Sequence, residues 1–187
     1  MSITKETIEA WYLAGDERSQ QLDDLIFKEA RGLQEDIPGD IVADALLAAI
    51  AWRESGFGKH GGYPRVEQAY RPGGKLYRLH MPALYNLYGD AAASSWSSFQ
   101  IMFPTAAELG YRGEPWDLWD DTVAIYWVKK FLVRAADRGA KTVEEFADAY
   151  NSGSHKDRFK PHEYMADIKA RYSQMWDRRI NGEKLGP

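Results

Sequence analysis

The chain has 187 residues, of which 44% are hydrophobic and 13% aromatic, and it contains no cysteine. That length supports the core of a single domain without a metal or a disulfide framework. With 24 basic against 28 acidic residues the net charge is -4, which argues against a dedicated nucleic-acid binder, whose hallmark is a basic excess.

The opening stretch, MSITKETIEAWYLAGDERS, lacks a charged region leading into an apolar run. It does not read as a secretion signal, and no segment is apolar over the length of a bilayer, so stable membrane insertion is not expected. Leu22, Leu25, Ile26 and Leu33 form the stripe of a first amphipathic helix. Pro38-Gly39-Asp40 stops and restarts the chain, with Asp40 as the expected N-cap. Ile41 to Glu54 (IVADALLAAIAWRE) is almost wholly apolar, the pattern of a helix buried all round. Gly56 and Gly58 follow where a helix terminates. Residues 58–95 are punctuated by Gly61-Gly62, Pro64, Pro72-Gly73-Gly74 and Pro82, with tyrosines between. They read as a long excursion holding one short helix near Pro82–Tyr88, and loops of such length are usually functional. Pro104 opens a short helix that ends at Gly110. Asp120 or Asp121 caps a second buried helix carrying Val123, Ile125, Trp127, Val128, Phe131 and Leu132. Thr142 to Glu145 is a capping box that opens a helix to Tyr150. Asn151-Ser152-Gly153 breaks it, and Pro161 starts a last helix with Tyr164, Ile168, Tyr172 and Met175 on one side. The sum is a mostly α fold, with a short β-element expected in 60–80 or 95–102. Residues 1–38 read as a helical extension and 39–187 as the main body, in one compact domain overall.

Glu54 ends the apolar helix, beside Trp52 and ahead of a glycine-rich break. Desolvation there raises a carboxyl pKa and keeps the proton on near neutral pH, the state a general acid needs at a glycosidic oxygen. Taken alone, the position also suits a surface glutamate paired with Arg53 or Lys59.

Three segments in order carry more weight. They are ALLAAIAWRESGFG, then SSFQIMFPTAAELGY, then FADAYNSG, with the helix-like EPWDLWDDTVAIYWVKKFL between the second and third. Together they resemble the catalytic domain of lytic transglycosylases and goose-type lysozymes (glycoside hydrolase family 23) over roughly residues 41–175. The resemblance implies a lysozyme-like domain that cuts the MurNAc-GlcNAc β-1,4 bonds of peptidoglycan glycan strands. It makes Glu54 the acid and then the base. Ser55 supports the helix end. Ser98, Phe99, Gln100 and Met102 are the expected cleft segment, with Phe99 as an apolar wall. Tyr150 is expected to bring its hydroxyl near the Glu54 carboxyl. Asn151 is expected to bind a substrate acetamido group or the loop itself, and also suits a plain helix C-cap. The chain departs from the pattern at Ser97, where the family has glycine. It also has a longer stretch between Glu54 and Gln100, and lacks the family's glycine in the helix after Asp121.

A familiar lysozyme needs a second carboxylate. Asp90, Asp117, Asp120 and Asp121 are available, and Asp90 is the best placed in sequence, since Asp120 and Asp121 have a capping role. The expectation is therefore a one-acid lytic transglycosylase that leaves 1,6-anhydro-MurNAc ends. Three alternatives stay open: a hydrolytic muramidase such as a phage or virion lysin, a chitin cleaver, and a non-catalytic glycan-binding member of the fold. No cofactor is expected and, with His60, His80, His155 and His162 scattered, no metal. The protein is expected to act as a monomer on the cell wall, delivered from the cytoplasm by a route other than its own signal.

Overall fold

The computed structural model describes residues 15–59, 63–153 and 163–184. His60, Gly61-Gly62, His155, Pro161, His162 and the stretch before Gly15 lie outside them, as does the side chain of His80. The chain is mostly helical. Among the described residues, seven α-helices accompany a small three-stranded sheet.

Helix α1 spans Gly15–Gln34 and helix α2 spans Ala43–Ser55. Each residue of α2 from Ala43 to Ala51 is buried, so this helix has no solvent face until its last turn. Its alanines let neighbours approach closely. Both α1 and α7 (Glu163–Ile180) pack on it. Leu22, Ile26 and Leu33 of α1 are buried as their spacing predicts, and Leu25 is partly buried.

The start of α2 differs from expectation. Asp40 does not cap it, because the helix begins three residues later, after Val42. Gln34 at the end of α1 does the work instead. Its Oε1 accepts from the Ala43 N–H at 2.9 Å, and its Nε2 donates to the Ile41 carbonyl at 2.8 Å. The Tyr172 hydroxyl of α7 accepts from the Val42 N–H at 3.0 Å. The donors at the start of the most buried helix are thus met partly by its two neighbours and partly by its own Asp44, whose Oδ1 accepts from the Ala45 N–H at 2.8 Å. At the other end Gly56 takes a left-handed conformation with φ 62°. The Phe57 N–H reaches the Ala51 carbonyl and the Gly56 N–H reaches that of Trp52, a Schellman closure that ends the helix sharply beside Glu54.

The sheet is antiparallel in the order β1-β2-β3, made of β1 (Arg65–Val66), β2 (Ser94–Trp96) and β3 (Ile101–Met102). Arg65 faces Ser95, and Ser95 faces Met102. Both windows expected to hold a β-element do hold strands.

The stretch expected as an excursion is more ordered than its prolines and glycines imply. After β1 come a 3-10 turn at Gln68–Tyr70, helix α3 (Tyr77–Tyr88) and a second 3-10 turn at Gly89–Ala93. Pro82 lies inside α3 rather than at its start. Tyr77, Met81, Leu84, Tyr85 and Tyr88 share one helical face and pack on the core, and that burial outweighs the proline's cost. Gly74 is required where it stands, since a Cβ there would lie 2.4 Å from the carbonyl oxygens of Gln68 and Ala69.

Helix α4 (Phe103–Glu108) carries Pro104 in its first turn, as expected. Of the two candidate caps for α5 (Asp121–Asp137), Asp120 accepts from the Thr122 N–H. Asp121 does not cap. In α5 the side chains of Ile125, Val128, Phe131 and Leu132 are buried, while Val123 and Trp127 are only partly so. The Thr142–Glu145 capping box opens α6 (Val143–Ser152), which runs through Asn151 to a left-handed Gly153. Among the described residues no helix is long and apolar enough to cross a membrane.

Candidate active site

Helix α2 emerges from the core at Trp52, Arg53 and Glu54, and the Glu54 side chain is 11% exposed. It opens onto a cleft of about 370 Å³, within the range of small-ligand sites. Gln100, Ser95 and Met102 reach the cleft from the β2–β3 hairpin, and Tyr150 and Asn151 from the end of α6. The segment after β1 supplies Glu67, Tyr70 and Lys75, together with Arg65.

The Glu54 carboxyl is held by two groups. Oε1 accepts from the Tyr164 hydroxyl at 2.6 Å. Oε2 faces the Arg65 guanidinium at 3.7 Å. Burial is the largest influence on Glu54 and raises its pKa above the usual carboxylate value. The Tyr164 hydrogen bond and the charges of Arg65 and Arg53 pull it down, and the negative charge of Glu67 adds to the rise. Desolvation wins, so the carboxyl holds its proton to higher pH than an exposed glutamate does. Burial and the nearby Glu54 charge also push the Tyr164 phenol up, so Tyr164 stays a neutral donor. A protonated carboxyl at the edge of a cleft can give its proton to a leaving oxygen and later take one back.

The turn between β2 and β3 is tight and fully bonded. Ser97 and Gln100 have φ of 71° and 50°, in the left-handed region that favours glycine. Ser97 thus takes up the backbone shape for which glycine was the expected residue. Its Oγ accepts from the Phe99 N–H at 3.2 Å. The Gln100 amide is fixed at both ends: Oε1 accepts from the Ser95 hydroxyl at 2.8 Å, and Nε2 donates to the carbonyls of Ser97 and Tyr63 at 2.9 and 3.2 Å. Ser55 bridges the two halves of the site, its hydroxyl donating to the Ser98 carbonyl at 2.7 Å and accepting from the Gly58 N–H.

Of the residues expected at the site, Glu54, Gln100, Met102, Tyr150 and Asn151 come together around this cleft. Three placements differ. Ser98 and Phe99 are fully buried and do not line it. The left-handed residues on either side of them turn both side chains inward. Phe99 contributes only its carbonyl, which accepts from the Tyr150 hydroxyl at 2.8 Å. The Tyr150 phenol lies near Glu54 as expected, its pKa pushed up by burial and by the carboxyl's charge, while the hydrogen bond to the carboxyl comes from Tyr164. Asp90 lies away from the cleft, bonded by the Tyr85 hydroxyl at 2.7 Å and the Arg71 guanidinium at 2.9 Å. The second carboxylate that does line the cleft is Glu67, bonded to Arg65 Nε at 2.9 Å.

Sequence reasoning missed Tyr164, Arg65 and Glu67. Tyr164 reads as one more apolar-stripe aromatic of α7. Arg65-Val66-Glu67 did carry a signal, an alternation of charge about an apolar residue at a strand edge. Among the described residues no group of three or more His, Asp or Glu side chains is arranged to hold a metal ion. Compared with known protein families, with curated proteins and with solved structures, the chain matches none of them.

Proposed function

We propose that the protein is a peptidoglycan lytic transglycosylase with a lysozyme-like domain, in which Glu54 is the single acid and base. The observation that carries this reading is the buried Glu54 carboxyl, its pKa raised by desolvation, opening onto a cleft together with Gln100 and Tyr150. The three ordered sequence segments that resemble glycoside hydrolase family 23 supply the substrate class.

On this reading Glu54 gives its proton to the glycosidic oxygen as the bond to the muramic C1 breaks, assisted by the substrate's own N-acetyl group. The carboxylate so formed then takes the proton from the muramic 6-hydroxyl as that oxygen bonds C1. The products are a free GlcNAc 4-hydroxyl and a 1,6-anhydro-MurNAc end, and Glu54 regains its proton. Tyr164 orients the carboxyl and stabilises its charged form between the two steps.

Glu67 favours a second reading, hydrolysis. It lines the same cleft with its carboxylate bonded to Arg65, and a second carboxylate is what activates a water in hydrolytic glycosidases. Mass spectrometry of the muropeptides released from purified peptidoglycan separates the two. Ends lighter by one water identify transglycosylation, and reducing ends identify hydrolysis. Clearing by wild type and by Glu54→Gln to the same extent would remove Glu54 from the chemistry under both readings.

A further inference from the structure

Gln100 reaches the cleft from a turn whose two flanking residues are non-glycine and left-handed. Each such residue costs roughly 1–2 kcal/mol, and it persists only where the surroundings over-determine it. Ser95 and the Ser97 and Tyr63 carbonyls hold the Gln100 side chain from the cleft side, and a second set of constraints comes from outside the cleft. Asp121, at the start of α5, accepts from the Ser98 N–H through Oδ1 and from the Ser98 hydroxyl through Oδ2, both at 2.8 Å. Arg18 of α1 grips the same carboxylate, Nε to Oδ2 at 2.7 Å and Nη2 to Oδ1 at 3.0 Å. It also donates to the Ser98 hydroxyl at 3.1 Å and to the Trp119 carbonyl, and its guanidinium lies 4.3 Å over the Trp119 ring. The Arg18 and Asp121 side chains are only 12% and 11% exposed. A hollow of about 500 Å³ opens beside them between α1 and the start of α5, but its charged groups already satisfy one another, so the cluster has a structural target rather than a vacancy for a ligand.

We propose that Asp121, with Arg18 behind it, is a positioning residue for the cleft: through Ser98 the pair fixes the turn that presents Gln100 to substrate, and helix α1 thereby completes the site. The pair acts at a distance, since neither residue lines the cleft. Asp121 sets the Ser98 backbone directly, and Ser55 clamps the Ser98 carbonyl to the helix end that bears Glu54. A helix that merely decorated the domain, or served only for delivery, would have no reason to send a largely covered arginine into the back of this turn. The proposal rests on the reading of the cleft as a glycan-cleaving site.

The test is a double-mutant cycle between Asp121→Asn and Gln100→Ala, read as kcat and KM on purified peptidoglycan fragments. Asp121→Asn is expected to lower kcat/KM by about ten- to a hundredfold, the scale of a small misplacement of a site residue. The loss should fall chiefly on KM, and the basic limb of the pH profile, set by Glu54, should not move. In the Gln100→Ala background the same substitution should cost little more, because its effect runs through Gln100. Ser98→Ala, which removes only the hydroxyl arm, is the milder variant to use if Asp121→Asn fails to fold. It should give a smaller loss of the same kind, also absent beside Gln100→Ala. Losses that add across the cycle, or a fall in kcat alone with KM unchanged, overturn the proposal while leaving the reading of the site intact. A wild type that cleaves no glycan overturns that reading and this proposal with it.

Discussion

Glu54→Gln keeps the size of the side chain and an oxygen for the Tyr164 hydroxyl, and it removes the ionisation. Because burial raises the Glu54 pKa in the folded protein, the folded state keeps this proton at pH values where the unfolded chain has released it. Between the unfolded and folded pKa values the native state binds more protons. Stability therefore falls as pH rises through that window and remains lower above it. Below the window both states are protonated and the penalty is absent. Each tenfold displacement of the proton equilibrium is worth about 1.4 kcal/mol, and in a chain of this size about 1 kcal/mol moves the melting midpoint by about 2–4 °C. Glutamine carries no such penalty. Glu54→Gln is thus expected to melt above wild type at pH 8, with the gap closing toward pH 4. Differential scanning calorimetry at pH 4, 6 and 8 measures the gap. A gap that is constant across that range, or a wild type that melts higher at pH 8, would refute the argument that desolvation governs this carboxyl. The variant should also be inactive, and a raised midpoint separates a missing acid from a misfolded protein.

Two further outcomes follow from the site. Tyr164→Phe removes a hydrogen bond that lowers the Glu54 pKa, so the basic limb of the activity profile moves to higher pH, and a limb that moves down or stays would show that Tyr164 does not stabilise the carboxylate. Ser97, buried with φ 71°, should accept glycine within about 1 kcal/mol in urea denaturation, while the β-branched Ser97→Val should cost more than about 2 kcal/mol. Equal tolerance of the two would mean that the turn relaxes out of the left-handed region.

The chain announces α2, and the place of Glu54 at its end, clearly. An apolar run interrupted only by Asp44, with glycines at its end, has few other meanings, and Glu54 stands where that run meets solvent. The cap of α2 was illegible for a physical reason. Local rules look for Ser, Thr, Asp or Asn just ahead of the helix, and here the bonds come from Gln34 and Tyr172, which only packing brings near. Helix α3 was obscured in a different way, its stripe of Tyr77, Met81, Leu84 and Tyr88 crossed by a proline that reads as a break. At the site, side-chain direction was the hidden quantity. A two-residue turn between left-handed positions sends Ser98 and Phe99 inward and Gln100 into the cleft, although all three are consecutive in sequence. Tyr164 stands 110 residues from the carboxyl it bonds, and nothing local to Tyr164 marks it apart from its apolar neighbours. By position either Asp120 or Asp121 suits the helix cap; Asp120 takes that task, and Asp121 accepts from the Ser98 N–H instead, a long-range bond that no local pattern marks.

The two sides of the cleft are built on parts of the chain with unequal freedom to vary. Glu54 rides on the innermost helix, where a change at nearly any position from Ala43 to Ala51 disturbs packing on α1 and α7 at once. Arg65, Glu67, Tyr70 and Lys75 come instead from a short connecting segment ahead of α3 whose side chains are half-buried or exposed. Substitutions at residues 63–76 can therefore alter what enters the cleft while Glu54 keeps its position.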